Sequence, residues 1–339
     1  MLLLAAILLA GCQNSGGFLD PVASGRPYEV LVVMNDAMWE RPAGRALYDV
    51  LDTDLPGLPQ PEQSFRISHT GKQLDATMRI FRNIIEVNID PSQFTRTKMK
   101  YKRDVFATDQ LMITFNSPSE ESFIEYCEAN RQMIIDFITR SEMNRLVKML
   151  KGDHSRTVLA DVQEMFGCTM YAPNEIVKSK KGKDFLWASS NTPLAITNIC
   201  LYTYPYEGPE TFNKEYVLAK RDSVMKANIP GSTPNMYMAT DTLLSDVTPI
   251  VVHGKYAMET RGLWYMKNDM MGGPFVSHSR VDETTGTVYV VEGFVYAPEK
   301  SKRIMIRRLE GSLYTLMLPC EVQKALADEA EADSTLESK

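Results

Sequence analysis

Apolar and polar positions along the chain fall into two kinds of stretch. Short apolar runs, rich in β-branched and aromatic residues and bounded by turn residues, predict strands over 29–34, 65–68, 83–89, 95–106 and 111–115. The same signature recurs over 169–171, 185–188, 199–204, 249–253, 262–266, 275–281 and 287–296, the last pair reading as a hairpin across 282–286. Elsewhere apolar residues recur every three or four positions. Leu47, Val50 and Leu51 mark a helix over 45–51, which the proline-rich stretch 52–61 stops. Ser117, Pro118 and Glu120 read as the N-cap, first residue and capping-box acid of a longer helix. Phe123, Tyr126, Cys127, Ile134, Phe137 and Ile138 then form one apolar stripe, and the helical pattern runs to 167 with breaks expected at 139–141 and 151–153. Helices over 209–227 and 299–317 complete the series. This order of elements predicts an α+β fold: mixed or mainly antiparallel sheets with long helices packed on them, in two similar-sized layers or subdomains, 27–152 and 153–320. The second half loosely follows the first in element order, but no residue-level repeat accompanies it.

The amino terminus breaks this pattern. Residues 2–10 are an unbroken apolar run, too short to span about 30 Å of hydrocarbon but suited to a signal-peptide core. It ends at Leu9-Ala10-Gly11-Cys12, where small residues precede a thiol nucleophilic enough to take a diacylglyceryl thioether. The expected arrangement is a signal peptide over 1–11, lipidation at Cys12 and a polar tether over 12–26. No Lys or Arg precedes the run, so the true start is expected upstream. No acidic residue follows Cys12 directly, which directs the expectation to the outer membrane of the cell envelope, with the facing side open.

Composition narrows the chemistry. The chain has 339 residues, 44% of them hydrophobic, enough for one large core or two ordinary ones. A net charge of -6 argues against a general nucleic-acid partner, which needs a surplus of Lys and Arg. Residues 321–339 carry much of that charge and read as a frayed acidic tail. Cys127, Cys168, Cys200 and Cys320 form no Cys-x-x-Cys pair; buried free thiols and one or two disulfides of an exported protein are the two readings. The histidines His69, His154, His253 and His278 are dispersed and predict no metal site. Nucleophile-elbow, Walker, dinucleotide and zinc-protease motifs are missing from the sequence, so no cofactor and no catalytic set is expected.

Two surfaces are candidates for binding. Strand periodicity puts Arg96, Lys98, Lys100 and Lys102 on one face, a cationic row suited to lipid phosphates or an anionic glycan, or equally a solvated edge that discourages aggregation. The lysine-rich turn 178–183 would add to that field if it lay near. The second is 261–275, where Trp264 and Tyr265 offer flat rings, Arg261 and Asp269 offer charges, and glycines permit close approach. The alternative there is a core strand entering a tight turn, with Trp264 inside.

The lipobox at Cys12, the run Tyr28-Glu29-Val30-Leu31-Val32-Val33, Arg261-Gly262-Leu263-Trp264, Met271-Gly272-Gly273-Pro274-Phe275 and Val291-Glu292-Gly293-Phe294-Val295-Tyr296-Ala297-Pro298 together resemble uncharacterised lipoproteins of the Bacteroidetes, a domain of unknown function. The resemblance implies an envelope location and a lipid anchor, and no catalytic residue. The leading expectation is a lipid-anchored, non-enzymatic protein binding a glycan, peptide or envelope protein. An anchored hydrolase using Asp269 and Glu292 as acid and base is the alternative. A third reading is a structural protein that lays the cationic strand on anionic lipid.

Overall fold

The computed structural model describes residues 21–337 apart from 191, 193 and 194; the lipidation position Cys12 lies outside the described residues. The first subdomain runs β1 (Glu29–Val33), α1 (Asp36–Trp39), α2 (Pro42–Leu51), β2 (Arg66–Thr70), α3 (Ala76–Arg79), β3 (Asn83–Ile89), β4 (Lys98–Arg103), β5 (Leu111–Ser117), α4 (Glu120–Ala129) and α5 (Arg131–Gly152). The second runs α6 (Arg156–Phe166), β6 (Ile176–Gly182), β7 (Phe185–Ser190), β8 (Ile196–Pro205), a 3₁₀ turn Pro209–Phe212, α7 (Lys214–Asn228), β9 (Met238–Val252), β10 (Lys255–Met266), β11 (Gly272–Asp282), β12 (Thr287–Tyr296), α8 (Arg303–Leu313) and α9 (Pro319–Glu337). The fold is α+β with two sheet-based subdomains.

The first sheet is mixed, in the order β2-β1-β3-β5-β4, with β2, β1, β3 and β5 parallel and β4 antiparallel at the edge. Central parallel strands are buried on both faces, which is why β1 and β3 read as near-continuous apolar runs. Val30, Val32, Ile85, Ile113 and Phe115 meet Leu47 of α2, Phe123 of α4 and Ile134 and Ile138 of α5 in one core. Full burial of each such side chain contributes roughly 1.5–3 kcal/mol. The second sheet is antiparallel, in the order β6-β7-β8-β12-β11-β10-β9, with a core on each face. The two sheets therefore differ in strand direction as well as sequence, and the loose repeat in element order does not extend to topology.

Several sequence expectations need correction. The N-cap of α4 is Ser119, whose side chain accepts from Ser122 N at 3.2 Å; the Ser117 hydroxyl instead meets Thr97 Oγ1 at 2.7 Å and donates to the Ser119 carbonyl at 2.9 Å. Helix α5 runs unbroken through 139–141, with Ile138, Ser141 and Glu142 buried and Glu142 held by Arg82 at 2.9 Å, Arg145 at 2.7 Å and Asn83 Nδ2 at 2.6 Å. The stretch 95–106 is extended only over β4, so Arg96 precedes the strand, and 169–171 contributes a single bridge from Thr169 to Met317. The lysine-rich 178–183 is mostly strand, paired as β6 with β7. The acidic 321–339 begins within α9, where Glu321 accepts from Leu318 N at 2.9 Å and pairs with Arg280. The four later cysteines are free thiols, three of them buried, and burial pushes Cys127 and Cys168 up to about 12.

The proline-rich loop after α2 crosses to the second subdomain. Leu55 is buried in the core under α8, and the Glu62 carboxylate accepts from Lys302 N at 2.7 Å, Arg303 N at 3.0 Å and the Ser301 hydroxyl. It thereby caps the amino end of α8 from a distant part of the chain, where orphan N–H groups favour an anion. Helices α5 and α8 touch at Gly311, where a Cβ would lie 2.6 Å from Leu146 Cγ.

Candidate functional site

Residue alternation decides which of the candidate residues in 261–275 meet. On β10, Arg261 and Tyr265 share one face of the sheet, while Trp264 and Met266 share the other. Arg261 turns toward α8. Its Nε donates to Glu259 Oε1 at 2.6 Å, its Nη2 to Glu259 Oε2 at 2.9 Å, and it also bonds Glu310. Burial opposes that charge, but Glu310 and Glu259 raise the Arg261 pKa above its ordinary value, and Glu259 is held down at about 2 despite burial, chiefly by Arg261. Tyr265 is 44% exposed on that same face. Neither lies beside Trp264, so the four candidates do not form one cleft. Trp264 and Asp269 do come together.

They border a cavity of about 880 Å³ on the α7 side of the second sheet. Its floor is Trp187 of β7, Trp264 of β10, and Phe294 and Tyr296 of β12, with Met238, Met266 and Met271 filling between them. Ile229 and Pro230, just past α7, form a wall, and Lys178, Lys180 and Asp269 stand at the edges. Two of the chain's three tryptophans are therefore here. Trp264 is only 2% exposed; its ring packs edge-on against Phe294 at 5.5 Å and its Nε1 donates to the Val295 carbonyl at 3.2 Å. Trp187 Nε1 donates to Asn198 Oδ1 at 3.0 Å. With both indole N–H groups already bonded, the rings offer the cavity carbon surface rather than donors. Gly273 makes the Trp264 seat: a Cβ there would overlap the Val295 carbonyl oxygen and lie 3.3 Å from Trp264 Nε1.

Glu292, the proposed partner of Asp269 in hydrolysis, does not line this cavity. It is fully buried and accepts from Arg221 of α7 twice, at 2.8 and 2.7 Å. Arg221 also donates to Thr240 Oγ1 at 2.7 Å and lies 3.8 Å from the Phe275 ring centroid. Burial pushes the Glu292 carboxyl up while Arg221 pulls it down. The pair fastens α7 to β12 beside the cavity. Asp269 is exposed in the β10–β11 turn, accepting from Met270 N at 2.6 Å.

The cationic row lies elsewhere, on the edge strand of the first sheet. Arg96, Lys98, Lys100 and Lys102 are all exposed, whereas Met99 and Tyr101 turn to the other face, Tyr101 with its ring 4.8 Å from that of Phe137. His253 lies at the β9–β10 turn and His278 is buried in β11; among the described residues no group of three or more His, Cys, Asp or Glu is placed to hold a metal. Sequence reading missed Trp187, Phe294 and Tyr296. The i, i+2 spacing of Phe294 and Tyr296 put both on one strand face, but only the strand order reveals that this face is also that of Trp264.

Residues 23–151 match a family described as Domain of unknown function (DUF8532), and residues 155–315 match another, Domain of unknown function (DUF4837). No curated protein matches the chain. Among solved structures, the Saccharomyces cerevisiae Ran-binding protein Mog1p is similar over 45% of this chain and 90% of its own, with 10% identity and a TM-score of 0.32. A Bacteroides thetaiotaomicron VPI-5482 protein is similar over 44% of each chain at 13% identity and a TM-score of 0.20. The human StarD13 (DLC2) lipid transfer and protein localization domain is similar over 40% of this chain and 88% of its own, at 8% identity and a TM-score of 0.17.

Proposed function

We propose that the protein is a non-enzymatic binding protein of the cell envelope, held to the membrane by lipid on Cys12, whose second subdomain takes an amphiphilic ligand with an apolar body and an anionic head. The observation that carries this reading is the aromatic and methionine lining of the 880 Å³ cavity, with Lys178 and Lys180 at its edge. That volume falls within the range of small-molecule sites, and methionine side chains adapt to flexible apolar chains. A fatty acyl chain with a carboxylate or phosphate head fits this chemistry better than a glycan, because the lining surface is mainly apolar and the polar side chains there, Ser179, Ser189, Ser190, Thr192, Asn198 and Ser232, are the minority. The apolar run before Cys12 supports the anchor, and the net negative charge supports a role without nucleic acid.

Titration of laurate, followed by tryptophan fluorescence and calorimetry, tests the ligand class. Saturable binding that Trp187→Ala abolishes supports it. Laurate without effect, or a neutral oligosaccharide binding in its place, rejects it. Radioactive palmitate incorporation that disappears in Cys12→Ala tests the anchor separately.

A further inference from the structure

A second cavity, of about 400 Å³, lies between the subdomains. Tyr28, Arg82, Glu142 and Arg145 line it from the first subdomain, Arg307 and Arg308 from the second. Arg82 and Arg145 share Glu142, at 2.9 and 2.7 Å. Arg307 reaches Glu310 at 3.0 Å, and Arg308 reaches Glu175 at 2.5 Å. Four guanidiniums thus line the cavity with one carboxylate, Glu142, while Glu175 and Glu310, the latter shared with Arg261, pair from outside the lining, which leaves a positive surplus around a cavity with room for a small molecule.

Donors without acceptors sharpen the picture. Tyr28 Oη, Arg82 Nε and Arg307 Nε are all buried and have no hydrogen-bond partner among the described residues. All three belong to residues that line one cavity, so an acceptor entering it would relieve their unfavourable burial once the side chains turn toward it. Tyr28 is 2% exposed, and its backbone holds a φ of 61°, a left-handed conformation that a bulky side chain adopts only where its surroundings enforce it. Burial raises its phenol pKa, which keeps Oη a donor.

We propose that this cavity is a binding site for a small soluble phosphate monoester, whose terminal oxygens take up the free donors of Tyr28, Arg82 and Arg307, with Arg308 at the more open side. Arginine suits this chemistry because its planar fork matches the oxygens of phosphate. The site is separate from the apolar cavity, and a ligand in it touches both subdomains, so binding also fastens one to the other.

The test is calorimetric titration of the full chain with glucose 6-phosphate and with inorganic phosphate, glucose serving as the uncharged control, together with thermal unfolding. The expected result is one saturable site for glucose 6-phosphate, a melting temperature that rises with its concentration, and no response to glucose. Tyr28→Phe removes an unpaired hydroxyl without removing packing; it is expected to fold normally and to weaken glucose 6-phosphate binding about tenfold. Arg82→Gln is expected to weaken it further, and if that variant fails to fold, Tyr28→Phe decides. Laurate binding is expected to survive in Tyr28→Phe, so the two cavities stand or fall independently. No heat and no thermal shift with either phosphate at millimolar concentration overturns the proposal. So does unchanged affinity in Tyr28→Phe, or binding only to vesicles containing phosphatidylglycerol, which marks a lipid surface as the partner.

Discussion

Arg221 and Glu292 provide the sharpest test of how the apolar cavity is built. Arg221→Met removes two hydrogen bonds to Glu292 and one to Thr240, and leaves a carboxylate fully buried without a counter-charge. Breaking a buried pair from one side costs about 3–5 kcal/mol, whereas replacing both partners by apolar residues is often close to neutral. At about 1.5 °C per kcal/mol for one cooperative unit of this whole chain's size, Arg221→Met should lower the melting temperature by roughly 4–8 °C. Arg221→Met with Glu292→Leu should recover most of that loss, a strong departure from additivity. The pH dependence has a definite sign. Burial already raises the Glu292 carboxyl, and losing Arg221 raises it further, so the folded variant favours the protonated form relative to the unfolded chain. Its stability is therefore best below the unfolded carboxyl range and falls as pH rises, which makes Arg221→Met look worse near about pH 8 than near about pH 5. Urea unfolding followed by circular dichroism at both pH values reads this out. A single variant that melts within a degree or two of wild type, or a double variant equal to the sum of the singles, would refute the reasoning.

Other expectations can be checked alongside. Gly273→Ala should destabilise by at least about 1–3 kcal/mol through overpacking against the Val295 carbonyl and Trp264, and blue-shifted tryptophan emission should be lost with it. Burial opposes it, but bonds to His253, Arg280 and the Leu318 backbone bring Glu321 down to about 2. Its stabilisation is complete above the unfolded carboxylate range and is lost as pH falls toward about 2, so Glu321→Gln should flatten the acid limb of a stability-against-pH curve. Changing Lys98, Lys100 and Lys102 together to Gln should alter stability by no more than about 0.5 kcal/mol, since all three are solvated; vesicle flotation then reports whether the row contributes to contact with anionic lipid.

Much of the fold was legible because the pattern and the burial agree. Strand β3 lies over the residues that the apolar run predicted, and Leu47, Val50 and Leu51 are buried on α2. What escaped was set by distant partners. Ser117 carries the chemistry of an N-cap, but Thr97, just ahead of β4, competes for its hydroxyl, and the cap moves to Ser119. A lysine-rich stretch such as β6 has no apolar alternation to betray it, because only its first residue is buried. The candidate site divided for a related reason. Arg261, Trp264, Tyr265 and Asp269 are close in sequence, yet strand geometry sends Arg261 and Trp264 to opposite sides of the sheet. The second cavity left no sequence signal, since its arginines are scattered over a span of more than two hundred residues.

The loop that carries Leu55 and Glu62 across to α8 has a consequence for anyone dividing the gene. Two sequence families abut between residues 151 and 155, an inviting place to cut. A piece starting at residue 155 would nevertheless lack one leucine of its own interior and the carboxylate that terminates its penultimate helix. Evolutionary modules and cooperative folding units thus part company in this molecule, and separately expressed halves should associate when mixed rather than behave as strangers.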